Sequence, residues 1–207
     1  DNLAMAEYPV YPTKFSDDDG PEEDGGSILV GAVGRFTKLA RRVPWFLAVG
    51  LPVEHELEDC ARAYLDTLGF PEATVAPVIS WEEAAEAAET LDWNSPWWEA
   101  EEMLLAALTA QAVDRVGESD LGAAMDHLRA RISESVLLAA EEAADAGGVR
   151  DEELMRAAAG AAVQASYQAA LVLLTEGGAD HPFALKFRLF EAGRWPLGVV
   201  GSSFNLF

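Results

Sequence analysis

A long apolar stretch at 151–176 (DEELMRAAAGAAVQASYQAALVLLTE) dominates the hydrophobic pattern of the chain. Its first turn is acidic, which suits the positive end of a helix dipole. Between Ala157 and Leu174 this run is interrupted by three polar residues: Gln164, Ser166 and Gln168. A helix that is apolar on nearly every side must be enclosed by other helices or by lipid. We therefore predict that 151–176 is the central helix of a bundle, with close backbone contacts at Gly160, which lies among alanines.

Further apolar stripes at helical spacing predict the helices around this centre. Serines at capping positions, prolines at first helical positions and glycines after the last turn mark their ends. The predicted helices cover 28–43, 52–68, 80–93, 96–116, 119–146 and 182–192. The stretch 70–79 carries two prolines and is predicted to be a loop.

The C-terminal part of the chain carries two conflicting patterns. Four apolar residues alternate strictly, as in a strand: Phe183, Leu185, Phe187 and Leu189. Pro182 before them and Gly193 after them mark the ends of a helix, so we favour a helix over 182–192. The stretch 197–207 is predicted to be an extended segment that lies on the bundle and pairs with Tyr8–Tyr11.

Together these elements predict an all-α, single-domain bundle of about six or seven helices around 151–176, with a short extended C-terminal segment. The bundle domain is expected to cover 28–207. Residues 1–27 lack helical or strand periodicity and contain six acidic residues at 17–24, which is typical of a flexible, solvated arm. Residues 1–4 precede Met5 and are interpreted as the remnant of an expression tag.

The charge balance limits the class of partner. The chain has 36 acidic and 14 basic residues, which gives a net charge of −22. Such a protein repels nucleic-acid phosphates, whereas it suits a basic protein partner or simply high solubility. The single cysteine, Cys60, excludes an intrachain disulfide, and no signal peptide is visible, so we expect a cytoplasmic location. Helical bundles with apolar faces often pair, so a homodimer is also expected.

Basic residues are concentrated on one face of the first predicted helix. On a helical wheel they share an arc of roughly 120°. The four residues are Arg35, Lys38, Arg41 and Arg42. They fit internal pairing with acidic residues, a site for a phosphate or other small anion, or contact with an anionic membrane surface aided by Trp45 and Phe46. The membrane is the weakest of these alternatives, because the remaining acidic surface would be repelled by it.

Two further groups fit either a structural role or a partner-binding role. Tryptophans cluster around residues 94–96, where one predicted helix ends and the next begins. They suit core packing at this helix corner or an aromatic hot spot. Acidic residues at 82, 86 and 89 share a helix face, which suits a solvated surface or a docking patch for a cationic partner. The partner-binding candidates are Trp93, Trp97, Trp98, Glu82, Glu86 and Glu89.

Motifs for catalysis are missing from the sequence. We find no phosphate-binding glycine loop, no nucleophile elbow and no Glu-x-x-His pair of a di-iron bundle. No catalytic residue, metal ligand or cofactor is therefore predicted. The favoured hypothesis is a non-catalytic adaptor, dedicated chaperone or neutralising partner that presents acidic helices to a basic protein. The alternatives are an enzyme or small-ligand binder with an anion pocket lined by the basic face of 28–43, and a peripheral membrane protein.

Overall fold

The computed structural model describes residues 25–92 and 94–207. Within these residues the chain is a helical bundle with a small sheet, which confirms the predicted fold class. The helices are α1 (Gly25–Ala40), α2 (His55–Leu68), α3 (Trp81–Glu89), α4 (Pro96–Val116), α5 (Glu118–Ala146), α6 (Glu152–Leu174) and α7 (Pro182–Glu191). The strands are β1 (Thr74–Pro77), β2 (Pro196–Val200) and β3 (Ser203–Leu206).

Helix α6 is enclosed by its neighbours, as its sequence predicts. It packs against α1, α4, α5 and α7, and the alanines on its inner faces are fully buried. The Asp151 carboxylate caps its first turn by accepting the N–H groups of Glu153 and Leu154, each at 3.0 Å. By length and composition alone α6 would suffice to cross a membrane, yet 61% of its most apolar window is buried inside the protein.

The close backbone contact expected at Gly160 is not formed. Gly160 is exposed, and a Cβ atom placed there would meet no heavy atom within 4 Å outside its own helix backbone. The tight packing of α6 instead uses alanines on its buried faces, such as Ala162 and Ala165. Gly160 therefore faces open space.

Several helix boundaries follow the predicted capping residues. The Ser95 hydroxyl accepts the Trp98 N–H at 3.3 Å at the start of α4, and Ser80 does the same for Glu83 in α3 at 3.2 Å. Gly69 ends α2 with φ 99°, a left-handed conformation that glycine adopts without strain. Helix α1 differs from the prediction: it begins at Gly25 and ends at Ala40, three residues earlier than expected.

Residues 182–191 are helical, so the strand alternative is wrong. The alternating apolar residues at 183–189 are all buried, and so is Lys186 between them. Helix α7 is thus enclosed on most sides by α2, α6 and β2. A helix surrounded in this way needs no polar face. The spacing of its apolar residues therefore does not distinguish a helix from a strand.

The predicted loop at 70–79 contains a strand, β1, which corrects the sequence-based assignment. β1 pairs in parallel with β3, and β2 pairs antiparallel with β3, in the order β1-β3-β2. The extended C-terminal segment therefore pairs with itself and with Thr74–Pro77; the predicted partner Tyr8–Tyr11 lies outside the described residues. A strand of four residues ending in proline is too short to give a clear alternating pattern.

The buried residues form two clusters that meet at α4 and α7. The larger cluster surrounds α6 and includes side chains from α1, α3, α4 and α5. The smaller one fills the space between α2, α7 and the sheet, and Tyr64, Leu189 and Phe204 are fully enclosed within it. The second cluster depends on α7 being held against the main bundle.

We expect Ala165→Leu to lower the free energy of unfolding by about 1–3 kcal/mol, because Ala165 is fully buried and the larger side chain overpacks the core. Ala106→Leu is the matched control, since Ala106 is exposed on α4. Urea denaturation of the two variants measures the difference. Equal stability of both variants would contradict the enclosure of α6.

Candidate functional site

A groove of about 540 Å³ lies between the α1–α2 connection, the start of α3 and the C-terminal part of α5. The α1–α2 connection supplies one wall, and the alanines at 139, 143 and 146 supply the opposite wall. Aromatic side chains form the floor. The groove therefore combines a rigid base with a wall made of irregular backbone.

The floor is held by the indole of Trp81. Its Nε1–H donates to the backbone oxygen of Ala143 at 3.2 Å, and its ring meets the Phe207 ring edge-on at 5.0 Å. Gly147 permits this close approach, because a Cβ there would come within 2.6 Å of the indole. The glycine predicted only as a helix stop thus also shapes the floor.

Buried groups hold the irregular wall in place. The Trp45 Nε1–H donates to the Ala40 carbonyl at 3.0 Å, and the Ala48 N–H donates to the Gly193 carbonyl at 3.0 Å. The buried Arg194 guanidinium donates to the carbonyls of Leu51 and Pro52 at 2.6 and 2.5 Å. Burial lowers the pKa of Arg194, and its Nε has no hydrogen-bond partner among the described residues. The guanidinium fork therefore fixes the end of the wall.

Large aliphatic side chains at the rim of the groove are open to solvent. Leu47 is 77% exposed, Leu51 56% and Ile79 66%. Singly exposed leucines are ordinary, whereas several around one concave surface are typical of an interaction site. Among the described residues, the charged side chains that line the groove are Glu82 and Glu142, and no basic one does. The groove is thus apolar at its rim and negative in charge.

The basic face of α1 points to water. All four side chains, Arg35, Lys38, Arg41 and Arg42, are exposed. None forms an ion pair with a residue of 25–92 or 94–207, and none lines the groove or the second cavity described below. Anion binding by these residues stays a prediction. Because the four side chains are exposed, the predicted site lies on an open surface and not in a pocket.

The predicted partner-binding residues lie in different places. Glu82 lies on the groove, whereas Glu86 and Glu89 are exposed elsewhere on α3. Trp97 is buried, and its Nε1–H donates to the Tyr64 hydroxyl at 2.9 Å, so it packs in the core. Trp98 is half-buried with its ring 6.1 Å from that of Trp97. Trp93 lies outside the described residues.

The rim leucines and Ile79 were missed by the sequence reasoning. They lie in segments bounded by proline and glycine, where no periodicity distinguishes buried from exposed positions. A run such as Trp45–Leu51, apolar throughout but too short and irregular for a helix, is the one signal that the sequence offers. It indicates that some of these side chains have no place in the core.

Among the described residues, no group of three or more histidine, cysteine, aspartate or glutamate side chains is placed to hold a metal ion. Comparison of the chain with known protein families, with curated proteins and with solved structures found no match.

We expect Arg194→Lys to lower the free energy of unfolding by about 1–3 kcal/mol, because a single ammonium cannot replace the fork that reaches two carbonyls. Hydrogen exchange at the Ala48 amide should also accelerate, since the wall loses its anchor. Arg150→Lys is the control, because Arg150 is exposed and its one ion pair with a residue of 25–92 or 94–207 is that with Asp145. An Arg194→Lys variant with unchanged stability and exchange would show that the fork does not hold the wall.

Proposed function

We propose that this chain is a non-catalytic protein-interaction module that binds an apolar, basic segment of a partner protein in the groove. The observation that carries the proposal is the exposure of Leu47, Leu51 and Ile79 around a groove whose charged lining residues are both carboxylates. This arrangement agrees with the expectation from the sequence that acidic helices face a basic partner.

The energetics favour a partner with apolar anchors. Fully burying one leucine or isoleucine side chain contributes about 1.5–3 kcal/mol, so a few such contacts support micromolar binding. Carboxylates beside the anchors attract lysine and arginine and raise the association rate more than the affinity. A helix with apolar residues at i, i+4 and i+7 and basic residues on its remaining faces fits these requirements.

A second copy of this chain fits the groove less well. A symmetric pairing through this face would bring Glu82 and Glu142 of two molecules together, each with a net charge of −22. The basic partner meets no such repulsion. A homodimer is therefore an alternative outcome of the binding experiment below.

The basic face of α1 supports the other two functions less strongly. Its four side chains line neither cavity, so they favour an extended anionic surface over an enclosed anion pocket. An anionic membrane would be repelled by most of the remaining surface. We therefore rank anion binding and membrane binding by α1 below partner binding in the groove.

Three matched peptides test the proposal by fluorescence anisotropy. The first is an amphipathic helix with leucine anchors and lysines, the second has glutamate in place of lysine, and the third has serine in place of leucine. We expect the first to bind at least about tenfold more tightly than either of the others, because it alone satisfies both the apolar rim and the carboxylates. Its affinity should fall as salt rises.

Variants of the protein locate the binding. Leu47→Ser and Ile79→Ser should each weaken the leucine–lysine peptide about tenfold, whereas Met103→Ser should not, although Met103 on α4 is 74% exposed. Equal binding of the lysine and glutamate peptides, or unchanged binding to Leu47→Ser and Ile79→Ser, would contradict the proposal. A dimer in sedimentation experiments that Leu47→Ser dissociates would assign the groove to a second copy instead.

A further inference from the structure

A second cavity, of about 330 Å³, lies between α4, α6 and the start of β2. Three indoles line it, those of Trp97, Trp98 and Trp195, and the small residues at 157, 160 and 161 of α6 form a flat wall. Its volume is within the range of small-molecule sites. This is the open space that Gly160 faces, and it shares no lining residue with the groove.

A buried ion pair forms the inner end of this cavity. Lys186 Nζ donates to both oxygens of the Glu101 carboxylate, at 2.9 and 2.8 Å, and to Gln168 Oε1 at 3.2 Å. The Tyr64 hydroxyl donates to Glu101 Oε1 at 2.5 Å. Burial raises the pKa of Tyr64 well above its ordinary value, and the Glu101 carboxylate adds to this shift, so the phenol remains a donor. All three N–H groups of Lys186 are thus engaged.

The charge of the cavity is negative once this pair is counted. Lys186 and Glu101 neutralise each other, which leaves Asp92 and Glu102 as the other charged lining residues. Both are exposed at the mouth, and neither forms an ion pair with a described residue. Asp92 Oδ1 accepts the Asn94 N–H at 2.9 Å, a neutral donor that leaves its charge uncompensated. A cation at the mouth is therefore attracted by two carboxylates.

Gln168 also lies at the inner end of the cavity, beside the ion pair. The residue is 2% exposed, and its side-chain oxygen accepts a hydrogen bond from Lys186. Because Gln168 lines the cavity, its side-chain amide can contact a bound molecule.

We propose that this cavity binds a small organic amine whose apolar or aromatic body lies among the indoles and whose ammonium group lies between Asp92 and Glu102. Indole faces attract cations as well as apolar groups, which favours the same ligand. A small anion is disfavoured, because Lys186 is already neutralised and the approach passes two carboxylates. The site is independent of the groove and of the partner proposed for it.

Three ligands that share one ring and differ in charge test this inference by titration calorimetry. They are phenethylamine, phenethyl alcohol and phenylacetate. We expect the amine to bind about tenfold more tightly than the alcohol, and the acid to bind most weakly, because only the amine is attracted by the mouth. Binding of phenylacetate as tight as that of the amine, or no binding of the amine at millimolar concentration, would overturn the proposal.

Two variants assign the binding to this cavity. Glu102→Gln should weaken phenethylamine about three- to tenfold and leave phenethyl alcohol unchanged, whereas the exposed control Glu141→Gln on α5 should change neither. Ala161→Phe should fill the cavity and abolish binding of both. Because Glu102 is exposed, its variant remains informative even if Ala161→Phe fails to fold. Equal weakening by Glu102→Gln and Glu141→Gln would show that the amine responds only to the overall charge of the protein.

Discussion

The buried ion pair between Lys186 and Glu101 is the interaction on which the arrangement of the helices depends most. It joins α7 to α4, and its hydrogen bonds to Gln168 and Tyr64 extend it to α6 and α2. Removing two charges from water is costly, and only near-complete hydrogen bonding offsets this penalty. The need for these hydrogen bonds fixes the position of α7 against the bundle. The smaller apolar cluster and the sheet then pack on α7, and the cavity opens beside the pair.

The two proposed sites are separate but are built on the same C-terminal segment. Trp195 lines the small cavity, and its ring lies 6.2 Å from that of Trp81 in the groove floor. The Trp195 N–H and carbonyl pair with the Phe207 backbone at 2.6 and 2.9 Å. Arg194, the preceding residue, anchors the groove wall. One short stretch of chain therefore supports the wall and floor of the groove and one side of the cavity.

The sequence predicted those features that repeat or that end a helix. The enclosed α6, the caps at Ser80 and Ser95 and the stop at Gly69 all follow from local rules. The sheet does not follow from local rules, because β1 is short and its partner, β3, lies more than a hundred residues away along the chain. The polar core was also missed: Glu101 lies on the apolar stripe of α4, four residues after Trp97, and Lys186 lies in the apolar α7. A charged residue on an apolar helix stripe indicates a buried ion pair. The sequence does not identify the partner, because tertiary packing brings the two residues together.

A double-mutant cycle on the ion pair tests the central claim most directly. The free energies of unfolding of Lys186→Met, Glu101→Leu and the double variant are measured by urea denaturation. We predict that each single variant loses about 3–5 kcal/mol, because one charge remains buried without its partner. The double variant should lose less than the sum of the two by about 2 kcal/mol or more. Additive losses, or single losses below about 1 kcal/mol, would contradict a buried pair that holds α7 to the bundle.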